Sequence, residues 1–452
     1  MYRLSDKEST HIIIKQIQPL AWLALKNTSQ NELTEALVTR AYAAVSCRNP
    51  LLRAVYKPEV AKFSLVIRDV SEVIQDEADG KLPARITRAF HTRDEVSAEY
   101  KRKVESEFWE SAFMWDVTVY ILDNETATDT NCVILAHFNH GVVDGAAVMK
   151  ALNEFLRVLN AGLIAGSSAS LPPHDFLGES LPVPKPFHER YPLFKFLDSA
   201  SDDEKDDLFT KVISKRATKE PKLNVTTVDK YFTEESTQKF IAKCKRNGVS
   251  FTAGLFAAAA MAASAKKKVS AVMPLSFRTK DNWGEVAVSF TDASFAVDLS
   301  SAYESAGGKD CCDGNALWAA FAREFHGEIR RKFSSEEERY RGLAVNYVRA
   351  MLEEPESGDS ESVCGDTSKD EFSVCVSNVG IMDGYFVKEV EGPLTVTEVT
   401  AFCGNVINPF LGMWCYTFRG RFRVNALSAS HFPRKERFEE FISKFFEIFE
   451  EE

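Results

Sequence analysis

The sequence predicts an α/β protein of two similar domains, on three grounds. The first is length: 452 residues exceed one compact core, since domains usually run to roughly 100–200 residues. The second is rhythm. In both halves, short apolar runs of strand character alternate with longer stretches of helical spacing. The third is a change of character between the halves. Residues 163–197 turn to Gly, Ser and Pro, with Pro182, Pro184, Pro186 and Pro192 in succession, which reads as a long connection over the surface. The expected division is an N-terminal domain over 1–165, a crossover over 166–225 and a C-terminal domain over 226–452.

Taken in order, residues 31–53 read as a helix with Leu33, Ala36, Leu37, Ala41, Ala44 and Val45 on one face. A short strand at 63–67, a charged helix at 94–113 and strands at 116–122 and 131–138 follow. From Val148 the apolar residues fall at helical spacing through Leu152, Phe155, Leu156 and Leu159, and Gly162 stands where a helix would end. In the second half Thr233 and Ser236 are both candidate helix caps. Residues 250–265 are alanine-rich and apolar on nearly all sides, a buried helix. Strands are expected at 269–276 and 287–299, helices at 316–333 and 335–352. Residues 353–370 are acidic, rich in Ser and Gly and poor in apolar side chains, the composition of a mobile, dispensable loop. Strands at 372–377, 394–401, 411–418 and 422–428 lead to a closing helix at 435–449.

Composition excludes several classes. Apolar residues are 45% and charged residues 27%, ordinary for a soluble globular chain. A net charge of −11 argues against a nucleic-acid surface. The run from Met1 to Glu8 has no signal-peptide apolar core, and no run of 18 apolar residues is present to span a membrane. The nine cysteines are scattered without C-x-x-C pairing or metal spacing, which reads as reduced thiols in a cytoplasmic protein.

The segment that carries chemistry is Phe138-Asn139-His140-Gly141-Val142-Val143-Asp144-Gly145, a His-x-x-x-Asp-Gly pattern between a strand and a helix. His137 falls with Val133 and Leu135; His140 falls with Ile134, Ala136 and Phe138 if the alternation holds. Four readings compete. Asp144 is a helix N-cap beside a packed His140. Alternatively His137, His140 and Asp144 bind a metal, against which stand the opposite strand faces and the lack of further ligands. A hydrolase triad requires a nucleophile elbow, and no G-x-S-x-G occurs in the chain. Finally, His140 is a general base that takes a proton from a hydroxyl, amine or thiol, which needs no protein nucleophile.

The segment resembles the active-site motif of the chloramphenicol-acetyltransferase-like superfamily of CoA-dependent acyltransferases, which includes alcohol O-acetyltransferases and peptide-synthetase condensation domains. Further segments resemble that superfamily in its order. They are Ala44 to Arg53, with Asn49 at the family's usual His, Val249 to Ala258, and Met273-Pro274-Leu275-Ser276-Phe277-Arg278. Val376-Ser377-Asn378-Val379-Gly380 and Cys415 to Phe422 follow. Many relatives carry two adjacent histidines where this chain has Asn139 and His140, and the plant-type Asp-Phe-Gly-Trp-Gly motif is absent. The alcohol O-acetyltransferase-like branch fits better.

The resemblance implies two α/β domains with mixed sheets flanked by helices, meeting along an active-site tunnel. It implies His140 as catalytic base and Asp144 paired with Arg278 from the other domain. Gly145 is implied where the backbone packs closely, with Ser377 and Asn378 as candidate oxyanion donors. No metal and no bound cofactor are implied. Acyl-CoA, acetyl-CoA foremost, would be the co-substrate and a small alcohol-type acceptor the partner, on a monomer. Lys266, Lys267 and Lys268 are a candidate basic patch for the anionic CoA. Two alternatives stay open: a scaffold that has lost turnover, and an acyltransferase or condensation enzyme served by a carrier protein in a polyketide or peptide pathway.

Overall fold

The computed structural model describes residues 2–3, 18–56, 64–88, 92–106, 113–122, 130–166, 178–185, 226–265, 268–278, 285–287, 289–307, 313–334, 371–386, 392–404, 411–428 and 435–451. The expected helix at 335–352, the acidic loop at 353–370, most of the Pro-rich connection, and Lys266 and Lys267 lie outside them. The first half runs β1 (Tyr2–Arg3), β2 (Gln18–Asn27), α1 (Glu35–Arg48), β3 (Ala54–Tyr56), β4 (Ser64–Ile67), α2 (Val70–Ala78), β5 (Ala84–Thr87), α3 (Arg93–Ser106), β6 (Trp115–Ile121), β7 (Cys132–Phe138) and α4 (Gly145–Ala165). The second runs β8 (Thr226–Tyr231), α5 (Glu234–Arg246), α6 (Phe251–Ala262), β9 (Lys268–Ser276), β10 (Phe290–Asp298), α7 (Ser300–Ser305), α8 (Gly314–Lys332), β11 (Glu371–Ile381), α9 (Asp383–Phe386), β12 (Leu394–Gly404), β13 (Leu411–Phe418), β14 (Arg421–Ser428) and α10 (Lys435–Glu450).

Two mixed sheets organise these elements, as the α/β expectation requires. One has the order β12-β2-β7-β6-β5 and the other β10-β9-β11-β13-β14-β8, with a small third sheet β1-β4-β3. Strand β12 comes from the second half yet pairs antiparallel with β2 along its whole length, so the first sheet is completed from the far end of the chain. One face of this sheet packs under α1 and α4 through Leu23, Ile134, Ala136, Phe138, Leu152 and Phe155. The other face, with Trp22, Leu135 and Tyr120, meets Val96 of α3 and Leu427 of β14. The second sheet packs α6, α8 and α10 against Val374, Val376, Met413, Cys415 and Val424.

Several local features have plain causes. Thr34 caps α1 by accepting from the Leu37 N–H, and the helix stops at Arg48 because Pro50 forces Asn49 into extended backbone. Thr233, not Ser236, caps α5. The helix after the motif does not end at Gly162 but continues to Ala165, with Gly166 at φ 78 beyond it. Gly162 is there for contact: a Cβ on it would lie 2.3 Å from Leu37 Cδ1, so its bareness lets α1 approach α4. Phe113, expected in a helix, instead forms an isolated bridge with Val55. Strands β2 and β5 and helix α2 carry no clear sequence signal. Among the described residues no helix is long and apolar enough to cross a membrane.

Candidate functional site

Strand β7 ends at Phe138 and the chain turns at once. Asn139 makes the turn, its Oδ1 accepting from Gly141 N–H at 2.9 Å and its carbonyl from Val142 N–H at 3.1 Å. His140 therefore sits in a turn, not on a strand face, and is only 6% exposed. His137 stays on the strand, its Nδ1 3.6 Å from Asp116 Oδ2. The Nδ1 of His140 lies 2.6 Å from the Val143 carbonyl oxygen. A carbonyl has no proton to give, so Nδ1 is the nitrogen that donates. In the neutral ring the lone pair is then on Nε2, which fixes the tautomer a general base needs.

Asp144 follows and has two structural tasks. It caps α4, with Oδ1 accepting from Ala147 N–H at 2.8 Å. The same oxygen accepts from Arg278 Nη2 at 2.7 Å, and Oδ2 accepts from the Ser289 N–H at 2.8 Å. The capping and arginine-pairing readings are thus compatible. The ion pair is buried, with side chains 1% and 6% exposed for Arg278 and Asp144. Arg278 follows β9 and also donates to the carbonyls of Glu285 at 2.8 Å and Ala287 at 2.7 Å. One guanidinium therefore ties the loop between β9 and β10 to the motif loop across the two sheets. The Ser289 N–H is a partner that sequence reasoning missed, because a backbone donor leaves no residue-type signal.

Gly145 opens α4 and is exposed. A Cβ there would meet the Val379 side chain at 3.8 Å, an ordinary contact. The expectation that the backbone packs closely at Gly145 is thus corrected; the contact instead places β11 opposite the N-terminus of α4. On β11, Ser377 and Asn378 alternate in direction. The Nδ2 of Asn378 donates to Thr252 Oγ1 at 3.2 Å, and its Oδ1 accepts from Gly380 N–H at 3.1 Å. The latter bond spans a bulge at which Gly380 adopts φ 89. Ser377 is half-buried, with Trp414 of β13 as its register partner. Trp414 folds back over Gly412, where a Cβ would lie 2.6 Å from the indole.

Asn49, at the family's histidine position, donates through Nδ2 to buried Glu154 of α4 at 2.6 Å, and Arg48 Nε donates to the same carboxylate at 3.3 Å. That position fastens α1 to the helix following the motif. Among the described residues no group of three or more His, Cys, Asp or Glu side chains is placed to hold a metal ion. Lys268 begins β9 and is exposed.

Solved structures share this architecture along nearly the whole chain. A trichothecene 15-O-acetyltransferase from Fusarium sporotrichioides superposes with a TM-score of 0.70 at 13% identity, covering 99% of this chain and 95% of that one. Polyketide synthase associated protein 5 from Mycobacterium tuberculosis gives 0.62 at 12% identity, covering 99% and 97%. The first condensation domain of the calcium-dependent antibiotic synthetase gives 0.63 at 11% identity, covering 100% and 96%. No protein-family profile matches the sequence, and no curated protein sequence matches it. The chain has the two-sheet fold of chloramphenicol-acetyltransferase-like acyltransferases and condensation domains.

Proposed function

We propose that the protein transfers an acyl group from acyl-CoA, acetyl-CoA foremost, to the hydroxyl of a small acceptor, with His140 as general base. An amine or thiol acceptor would use the same chemistry. Nε2 of the neutral ring takes the acceptor proton as the acceptor oxygen attacks the thioester carbonyl. The C–S bond then breaks, and the imidazolium returns the proton to the departing CoA sulfur. A base of this kind contributes ~10²–10⁴-fold. Asp144 and Arg278 do not move protons; they hold the loop that aims the ring. The observation that carries the reading is the Nδ1–H donation to the Val143 carbonyl at 2.6 Å, since it puts the basic lone pair on Nε2. No covalent acyl-enzyme and no metal are part of the scheme.

The test is release of CoA thiol across a panel of acyl-CoAs, each offered with alcohols, amines and thiols. Acceptor-dependent release supports the reading. A second reading has the donor acyl group on a carrier protein, as suits the similarity to a condensation domain. Transfer from acyl-carrier thioesters but from no acyl-CoA would select it. Transfer from neither, with no acyl thioester bound, would make the protein a binding module.

A further inference from the structure

The two sheets do not close on each other everywhere. On the helix-covered face of β11 and β13, Val374, Val376, Leu411, Met413 and Cys415 are at most 1% exposed. The residues between them point the other way, toward the first sheet. Next to β12 this inner face is closed, with the Tyr416 hydroxyl donating to the Val399 carbonyl at 2.8 Å. Yet Cys375, Ser377 and Trp414 on the same face stay half-buried. Register groups them: Cys375 stands beside Gly412, and Ser377 beside Trp414. A partly accessible strip on a face that looks inward is the wall of a channel between the sheets.

The strip leads to the loop that carries His140. Arg278, just past β9, holds Asp144. Val379, two residues beyond Ser377, lies opposite Gly145, where a Cβ would meet it at 3.8 Å. The motif loop therefore stands at the C-terminal ends of β9 and β11, and the strip runs back from there. Trp414 is one strand spacing, ~5 Å, from Ser377. Its indole folds toward Gly412, away from the motif loop, since β13 runs parallel to β11 and Gly412 comes earlier in it. A Cβ on Gly412 would lie 2.6 Å from Cη2 and Cζ3 of the ring, so the indole takes the place of a side chain there. The same ring packs against the cluster that holds Leu20, Leu135 and Leu427.

The chemistry of the strip narrows what it takes. Val272 of β9 is the register partner of Cys375, so the ring's surroundings on this face are Val272, Cys375, Ser377 and Gly412. None of these is charged, which suits an alkyl chain. We propose that Trp414 is a specificity-determining residue: its ring, seated on Gly412, ends the channel and limits the chain held there to a short one. The chain belongs either to the acyl group or to the acceptor. The proposal rests on the acyl-transfer reading for what brings the chain to the site.

The test measures CoA release by the full chain in two series: acetyl-CoA to octanoyl-CoA with one alcohol, and ethanol to 1-octanol with acetyl-CoA. The wild type should favour the short members of one series, and that series identifies the chain that meets Trp414. Trp414→Ala should raise kcat/KM for the longest member relative to the shortest by at least about tenfold, the discrimination one methylene carries in an apolar pocket. Gly412→Ala should move that ratio the other way, because its methyl group drives the indole out over the strip. Trp414→Leu should fall between the wild type and Trp414→Ala, and it replaces the alanine variant if that one does not fold. A wild type indifferent to chain length in both series, or Trp414 variants with the wild-type ratios, overturns the proposal. If the wild type releases no CoA from any pair, the acyl-transfer reading fails on its own. The chain-length limit is then read from calorimetry with 1-butanol and 1-octanol. Trp414→Ala should gain at least about tenfold in affinity for octanol over butanol, and no gain overturns the proposal.

Discussion

At His140 a single backbone carbonyl selects the tautomer, and at Asp144 a single carboxylate joins a helix cap to a buried arginine. Asp144→Asn and Arg278→Ala should each destabilise the protein by about 3–5 kcal/mol, because each leaves a buried charge without its counter-charge. Denaturant titration of both single variants and the double should show strong coupling; additive losses would mean that the two side chains do not act as a pair. Gly145→Ala should be nearly silent in stability, given the ordinary contact with Val379. Buried thiols supply a pH prediction. Burial pushes Cys47 from 9.0 up to about 11 and Cys132 and Cys244 up to about 12. Above pH ~9 the unfolded thiols ionise while the folded ones hold their protons. These residues therefore favour the fold below pH ~9 and lose that contribution as pH rises toward about 12. Melting temperature should decline across that window, and replacing the three by Ala or Val should flatten the decline. The His140 to Asp144 arrangement was legible in sequence because residue type, spacing and the strand-to-helix change coincide. The bonds of Asn378 to Thr252 and Gly380 were not, because the residue type alone does not name the partners of a side-chain amide.

Elements were legible where one face is apolar and the other polar, and less so elsewhere. Helices α4 and α10 follow their spacing closely, while α6 was legible as an alanine-rich run apolar on nearly all sides. Strand β2 escaped because Leu20 through Leu25 are all buried, so the alternation that marks a half-buried strand is missing. Gly162 was misread as a stop because a glycine needed for close packing looks the same in sequence as one needed at a helix end. Here the two are separable: Gly162 faces Leu37, while Gly166 carries the positive φ. Gly162→Val should destabilise the fold by about 1–3 kcal/mol through overpacking. Leu37→Ala in the same chain should recover part of that loss in an unfolding titration. If Gly162→Val is neutral, the account of the α1–α4 contact is wrong.

On the scale of the whole molecule, α/β class was readable from rhythm and length, but the joining of the halves was not. Pairing of β12 with β2 links residues more than three hundred positions apart, and such a pairing leaves no local pattern. Helix α4 reinforces the join through Asn153, which donates to the Tyr385 carbonyl, and Asn160, which accepts from Leu394 N–H at 2.7 Å. Both halves should therefore unfold in one transition, with hydrogen exchange of β7 and β13 collapsing at the same denaturant concentration; two separated transitions would contradict this. The joined halves hold His140, Asp144 and Arg278 in one place, and the central claim is that this place performs base-catalysed acyl transfer. It is tested most directly by measuring acceptor-dependent CoA release for the wild type and for His140→Ala, with circular dichroism and melting as controls of the fold. The account predicts a loss of at least ~10²-fold in a variant that folds as the wild type does. A well-folded His140→Ala protein that releases CoA at the wild-type rate would contradict it.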